Sequence, residues 1–174
     1  MNVDLPASRI TRLLVKPLVD SLSIMRPALG HAPFVGVGSK VLVVNESDEV
    51  LMMRRSDMGV WDLPGGFCDI GENATHNAVR EVREETGFEV EIERIVGIAS
   101  GENYHVTYPN GDQVQSVMVV FRARVVGGVD QPDVSENLEQ KWVSVDEMAS
   151  VSEGAIWPMY RLIAVNLEDG VFFD

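Results

Sequence analysis

One stretch punctuates this chain more strongly than any other. From Trp61 to Glu72 it reads WDLPGGFCDIGE, and the next fourteen residues, Asn73 to Thr86, contain neither glycine nor proline and stop at Gly87. A loop rich in Gly and Pro cannot continue a helix or a central strand, whereas Asn73 can cap a helix start and Gly87 can close its end. The spacing therefore predicts one helix, entered from a turn-rich loop and held between segments of a different kind. Those segments are β-like. FVGVGSKVLVVN and EVLMMRR, split by a turn at Glu46 to Asp48, suit adjacent antiparallel strands, and FEVEIERIVGIASG and QVQSVMVVFRARVVGG read as two more. Between the last two lies NYHVTYPNGD, whose Asn110-Gly111 suits a tight hairpin turn. QKWVSV reads as a short strand, VDEMAS as a helical turn, and Ala155 to Leu167 as a C-terminal helix with Trp157, Tyr160, Leu162, Ile163 and Leu167 available to pack. A helix inserted among strands makes this a mixed α/β chain.

At the N-terminus, Ile10, Leu13, Leu14, Leu18, Leu22 and Met25 recur at helical spacing, predicting an amphipathic helix from Ser8 to about Met25, broken near Pro17. It is read as packing on the domain or on a second subunit, so a homodimer is left open. At about 150 residues per domain, 174 residues make one domain with an extension. We divide the chain into an N-terminal helical extension at 1–30 and a domain at 31–174. Arg9, Arg12 and Lys16 interrupt any apolar leader, and no apolar run reaches the roughly 18–20 residues of a membrane span, so neither a secretory signal nor a membrane partner is expected. Cys68 is the only cysteine, which excludes an intramolecular disulfide and suits a reducing, cytoplasmic setting. Charge narrows the partners further. With 14 Lys and Arg against 27 Asp and Glu, the net charge of −13 disfavours duplex nucleic acid and anionic lipid, and an anionic substrate would need local cations.

The chemistry concentrates on the predicted helix. At about 100° per residue, Thr75, Ala78, Val79, Val82 and Thr86 form one stripe, and Glu81, Glu84 and Glu85 occupy about 100° of arc beside it. Carboxylates three and four residues apart approach to about 5–6 Å at Cβ, an unfavourable crowding unless a cation answers it. Arg80 and Arg83 could do so on a solvated face. A hard divalent ion, which prefers oxygen ligands, is the alternative.

The residues from Gly66 to Phe88, GFCDIGENATHNAVREVREETGF, favour the ion. Gly66, five residues, Glu72, seven residues and then Arg80-Glu81-Val82-Arg83-Glu84-Glu85-Thr86-Gly87-Phe88 fill every defined position of the Nudix box. The chain resembles the Nudix hydrolases, with WDLPGG, EVLMMRR and EQKWVSVDEM as familiar flanks, over about Pro33 to Ser150. The resemblance implies an α/β/α sandwich around a mixed sheet, here with an N-terminal helical extension. It also implies hydrolysis of a nucleoside diphosphate linked to another moiety: a nucleotide sugar, a dinucleoside polyphosphate or a nucleoside triphosphate. By position, Glu81, Glu84 and Glu85 would bind Mg²⁺, with Mn²⁺ as a substitute, and the Gly65 carbonyl would be a further ligand. Arg80 would orient a catalytic glutamate and Glu72 would support it. Glu84 is the favoured base, with Glu81 next.

Other candidates carry less. Arg54 and Arg55 end a strand, where neighbours face opposite ways, so one of the two can meet phosphate. Glu136 and Glu139 lie before Trp142, where the family often supplies an acid; a solvated acidic loop is the other reading. Tyr104 and Tyr108 can stack on a base or pack the turn. His105 and Cys68 lack the company of a metal or nucleophilic site. A proline shortly after the box often marks hydrolases of the ADP-ribose type, and GENYHVTY stands there instead. A non-catalytic nucleotide-binding or sensing module is the alternative function.

Overall fold

The computed structural model describes residues 21–151 and 171–173. In chain order these form α1 (Ser21–Leu29), β1 (Phe34–Val44), β2 (Val50–Arg55), β3 (Trp61–Asp62), α2 (Ala74–Thr86), β4 (Phe88–Ala99), β5 (His105–Thr107), β6 (Gln113–Gly128), β7 (Asn137–Val143), α3 (Val145–Val151) and β8 (Phe172–Phe173). The expected C-terminal helix, with Trp157, lies outside the described residues, as does most of the expected N-terminal one. The part of the latter that is described, α1, runs past Met25 to Leu29, where Gly30 in the left-handed region closes it by donating to the Arg26 carbonyl.

The strands form one mixed sheet in the order β3-β2-β1-β6-β4-β8, with β5 beside β6 and β7 beside β2. β1 and β6 are parallel from Phe34↔Val114 to Val44↔Arg124, and β4 is antiparallel to β6. β1 and β2 do meet antiparallel, but only at Val44↔Val50; β2 spends its length on β7. Because the central strands are covered on both faces, alternate residues feed two cores. Val41, Val43, Leu51, Phe121 and Ala123 pack under α2 against Ala78 and Val82, while Leu42, Val44, Met52 and Val120 pack on the opposite face with Met148 of α3. Each fully buried Leu or Met, such as Leu42, Leu51 and Met52, contributes about 1.5–3 kcal/mol. Helix, mixed sheet and helix are thus layered as expected.

α2 is bounded as its sequence demands. The Asn73 side chain accepts from the His76 N–H at 2.9 Å, and Gly87, at φ 81°, donates to the Arg83 carbonyl. Its buried face is rotated from the expected stripe. Thr75 is exposed, and Asn77 and Glu85 are buried instead, because the loop before the helix packs on that side. That loop is stitched along β1: Val41 N–H donates to the Pro64 carbonyl, Ser39 N–H to Gly66, and Cys68 N–H to Val37. The approach is so close that a Cβ on Gly38 would stand 2.1 Å from the Gly66 oxygen, and one on Gly65 2.2 Å from the Ser39 oxygen. Asn77 completes the joint, accepting from the Ser39 hydroxyl at 2.5 Å and donating to the Phe67 carbonyl at 2.9 Å.

Candidate active site

A cavity of about 570 Å³ opens where this joint meets the β5–β6 hairpin. Glu81 and Glu85 reach it from α2, Asp62 from β3, Glu136 from the segment before β7, and Gly65 and Gly66 from the loop. Lys40 and Arg55 supply the cations at this end.

Lys40 is only 6% exposed, in the middle of an apolar strand. Its ammonium donates to Asp62 Oδ2 at 2.8 Å and to the carbonyls of Leu63 and Gly65 at 3.0 Å each. One side chain therefore fixes the backbone of the loop and sets a positive charge beside the buried acids. Glu85 accepts from the Gly65 N–H at 2.8 Å; burial pushes its carboxyl up to about 8, against the pull of Lys40 and that hydrogen bond. Burial likewise raises Glu81, with the Arg80 guanidinium opposing.

Arg80 is the hub of the remaining acids. It holds Glu72 in a fork, Nε to Oε1 at 2.9 Å and Nη2 to Oε2 at 3.0 Å, and reaches Glu81 and Glu84 at 3.0 Å each. Burial would raise Glu72, but these bonds hold its carboxyl below the usual range. Glu84, whose side chain is 57% exposed, sits on the outer side of Arg80 and away from the cavity lining.

The expected pairs split by strand parity. Arg55 lines the cavity, bound to Asp57 at 2.7 and 3.0 Å and lying 5.7 Å over the Tyr108 ring, whereas Arg54 is exposed and donates to the Gly59 carbonyl. Glu139, opposite Arg54 in the β2–β7 ladder, is exposed and outside the lining; Glu136 is within it. Tyr104 is buried in the cavity wall and Tyr108 lines it as well. Trp61 and Trp142 pack, under Lys141 and against Phe88 respectively, and His105 is exposed. Burial pushes the Cys68 thiol up, away from the thiolate a nucleophile requires. The sequence reading missed Lys40, Asn77 and Asp62. The available signal for Lys40 was a lone charge inside an unbroken apolar strand, which a chain buries only with partners waiting.

The donor set suits a hard dication. Carboxylates of Glu81, Glu85 and Glu136 share one cavity with the Gly65 carbonyl, and the buried Glu85 ionises only at a cost that added positive charge would offset. Among the described residues no three His, Cys, Asp or Glu side chains already stand as a closed cage. Mg²⁺ does not require one, since it keeps waters and borrows phosphate oxygens. Among the described residues no helix is long and apolar enough to cross a membrane.

A mixed sheet between helices, with a capped glutamate-rich helix stitched to a glycine loop, defines a recognised class: the chain belongs to the NUDIX domain family, whose sequence pattern matches residues 36–164. Among its relatives is a Bacillus subtilis (strain 168) protein provisionally named an 8-oxo-dGTP diphosphatase, 36% identical over 107 residues, or 62% of this chain and 65% of that protein. A "MutT-like protein" of Streptomyces ambofaciens is 32% identical over 117 residues, 67% of this chain and 69% of its own length. Among solved structures, the MutT protein from Methanosarcina mazei Go1 superposes with a TM-score of 0.66 at 25% identity, covering 79% of this chain and 99% of that one.

Proposed function

We propose that the chain is a Mg²⁺-dependent pyrophosphohydrolase, with Mn²⁺ able to substitute, acting on a nucleoside diphosphate linked to a further moiety. One observation carries the reading: Glu81, Glu85, Glu136 and the Gly65 carbonyl share a nucleotide-sized cavity with the Arg55 guanidinium. Gly65, Glu81 and Glu85 would hold the ion, with Glu136 beside them and Glu84 at the outer rim. A bound dication polarises phosphoryl oxygens and lowers the pKa of water. The chain's own groups do the rest. Arg55, whose Nε and Nη2 are held by Asp57, would meet phosphate oxygens with its remaining N–H donors, and Lys40 keeps the Gly65 carbonyl in place. Glu81 faces the cavity with a carboxyl that burial raises above its ordinary range, which makes it a better acceptor for a proton from the attacking water. Arg80 is its positioning residue. This shifts the preferred base from Glu84 to Glu81, because Glu84 lies on the solvent side of Arg80. The name of the Bacillus relative makes oxidised nucleoside triphosphates the first substrates to test.

The test is release of phosphate, pyrophosphate or nucleoside monophosphate from a panel of nucleotide diphosphate derivatives, with and without Mg²⁺. Turnover should require the ion, and Glu81→Gln and Glu85→Gln should each lower it by orders of magnitude with the fold intact, whereas Glu84→Gln should cost much less. Ligand-induced stabilisation with no product after long incubation would instead establish a sensing module. Wild-type rates in both Glu81→Gln and Glu85→Gln would sink the metal assignment.

A further inference from the structure

The acidic end occupies only part of the cavity. Lys40 is six residues along β1 from Phe34, so at about 3.3 Å per residue the cavity continues for roughly 20 Å towards the hairpin. Along β6 the alternate residues Val114, Ser116 and Met118 all line it, while Gln113, Gln115 and Val117 do not, so this floor is made of side chains. Phe34, Phe67 and Tyr104 flank that floor, and Arg26 and Asp112 lie at its far end. Most of this half is apolar and aromatic, the surroundings that suit a flat ring.

Ser116 is the exception. It is 8% exposed, lines the cavity, and among the described residues no protein group hydrogen-bonds its hydroxyl. The other buried serine among the described residues is bonded: Ser39 donates to Asn77. A small polar group on an apolar floor that lines the cavity is available to bond whatever fills it. The other polar groups at this end are engaged with one another. Asp112 is shared by Arg26, His31 and Asn110.

We propose that this half of the cavity holds the planar base of the nucleotide and that the Ser116 hydroxyl, donating to or accepting from the base edge, selects which base is held. The proposal rests on the hydrolase reading for its substrate class, but it concerns recognition and not cleavage.

The experiment separates the two. The full chain, free of divalent ions, is titrated with the four common nucleoside 5′-monophosphates, which contain no anhydride to cleave, while backbone amide resonances are followed by NMR. Saturable shifts at Val114, Ser116 and Met118 are expected, with one base preferred. Ser116→Ala, which removes only the hydroxyl, should weaken that base about five- to tenfold and flatten the preference among the four. In turnover, the same variant should raise KM for the preferred substrate with kcat little changed. Equal affinity for all four bases, shifts mapping elsewhere, no binding, or an unaltered preference in Ser116→Ala would overturn the proposal. Base binding without any anhydride cleavage would overturn the hydrolase reading and leave this one standing. Unaltered base preference alongside Mg²⁺-dependent cleavage would do the reverse.

Discussion

Replacing Lys40 by Met tests the idea that one buried ammonium holds the glycine-rich loop before α2 to the sheet. All three of its N–H donors are used, on Asp62, Leu63 and Gly65 at 2.8–3.0 Å, and the side chain is 8% exposed, so solvent cannot replace them. Met fills much the same volume and leaves the Asp62 carboxylate, 2% exposed, facing a thioether. Removing one partner of a buried pair costs about 3–5 kcal/mol. Asp62 keeps the Leu63 N–H at 2.7 Å and Arg55 Nη1 at the longer 3.7 Å, which argues for the lower end, about 3 kcal/mol. For a chain of this size that corresponds to a fall of roughly 6–12 °C in Tm. Urea unfolding followed by circular dichroism reads the loss directly. Adding Asp62→Leu should recover at least half of it, because the stranded charge is then gone. A Lys40→Met variant within about 1 kcal/mol of wild type, or a double variant no better than the single, would refute the reasoning.

Three further outcomes follow from the same geometry. Burial raises the Glu85 carboxyl to about 8 from its ordinary 4.5, so the metal-free protein is relieved of this strain below the lower value and loses stability as pH rises towards the upper; Glu85→Gln should flatten that part of a urea-midpoint against pH curve, and an unchanged slope would contradict it. The hydrogen bond from His31, with Asn110 and Arg26 adding to it, holds Asp112 below the usual carboxylate range, so its contribution is present above the unfolded value and lost as pH falls through the lowered one. Protection factors of the α1 amides, corrected for the intrinsic pH dependence of exchange, should fall in acid and, at neutral pH, in Asp112→Asn; equal protection in that variant would show that α1 is held by other contacts. Gly38→Ala forces a Cβ to within 2.1 Å of the Gly66 oxygen and should cost about 1–3 kcal/mol, more than Gly59→Ala, where φ is 69° but nothing lies within 4 Å; equal urea midpoints for the two would mean that the loop is not pressed on β1.

What could be read in advance, and what could not, divides by the range of the forces involved. Asn73 and Gly87 announced the ends of α2 because capping is decided within a few residues. The apolar runs announced the strands for the same reason. The direction of each side chain was harder. Arg54 and Arg55 were known to diverge, but which one turns inward depends on the pairing with β7, whose register shifts between those two residues. That shift also bears on Glu136 and Glu139. The wheel for α2 placed Thr75 inside and could not place Asn77, since the loop that buries Asn77 reaches it only through β1. Lys40 belongs to the same class. Its partners are 22 to 25 residues away in sequence, and a lysine within VGVGSKVLVV has no local reason to be there.

Arg26 belongs to α1, ahead of the matched family region at 36–164, yet it lines the same cavity as Glu81 and Glu85. A shortened protein beginning at residue 33 would keep every acid and glycine of the candidate site and lose the guanidinium at the far end of its cavity. Selectivity measured on such a fragment would describe an open-ended trough, in which ligands too long for the intact protein find room.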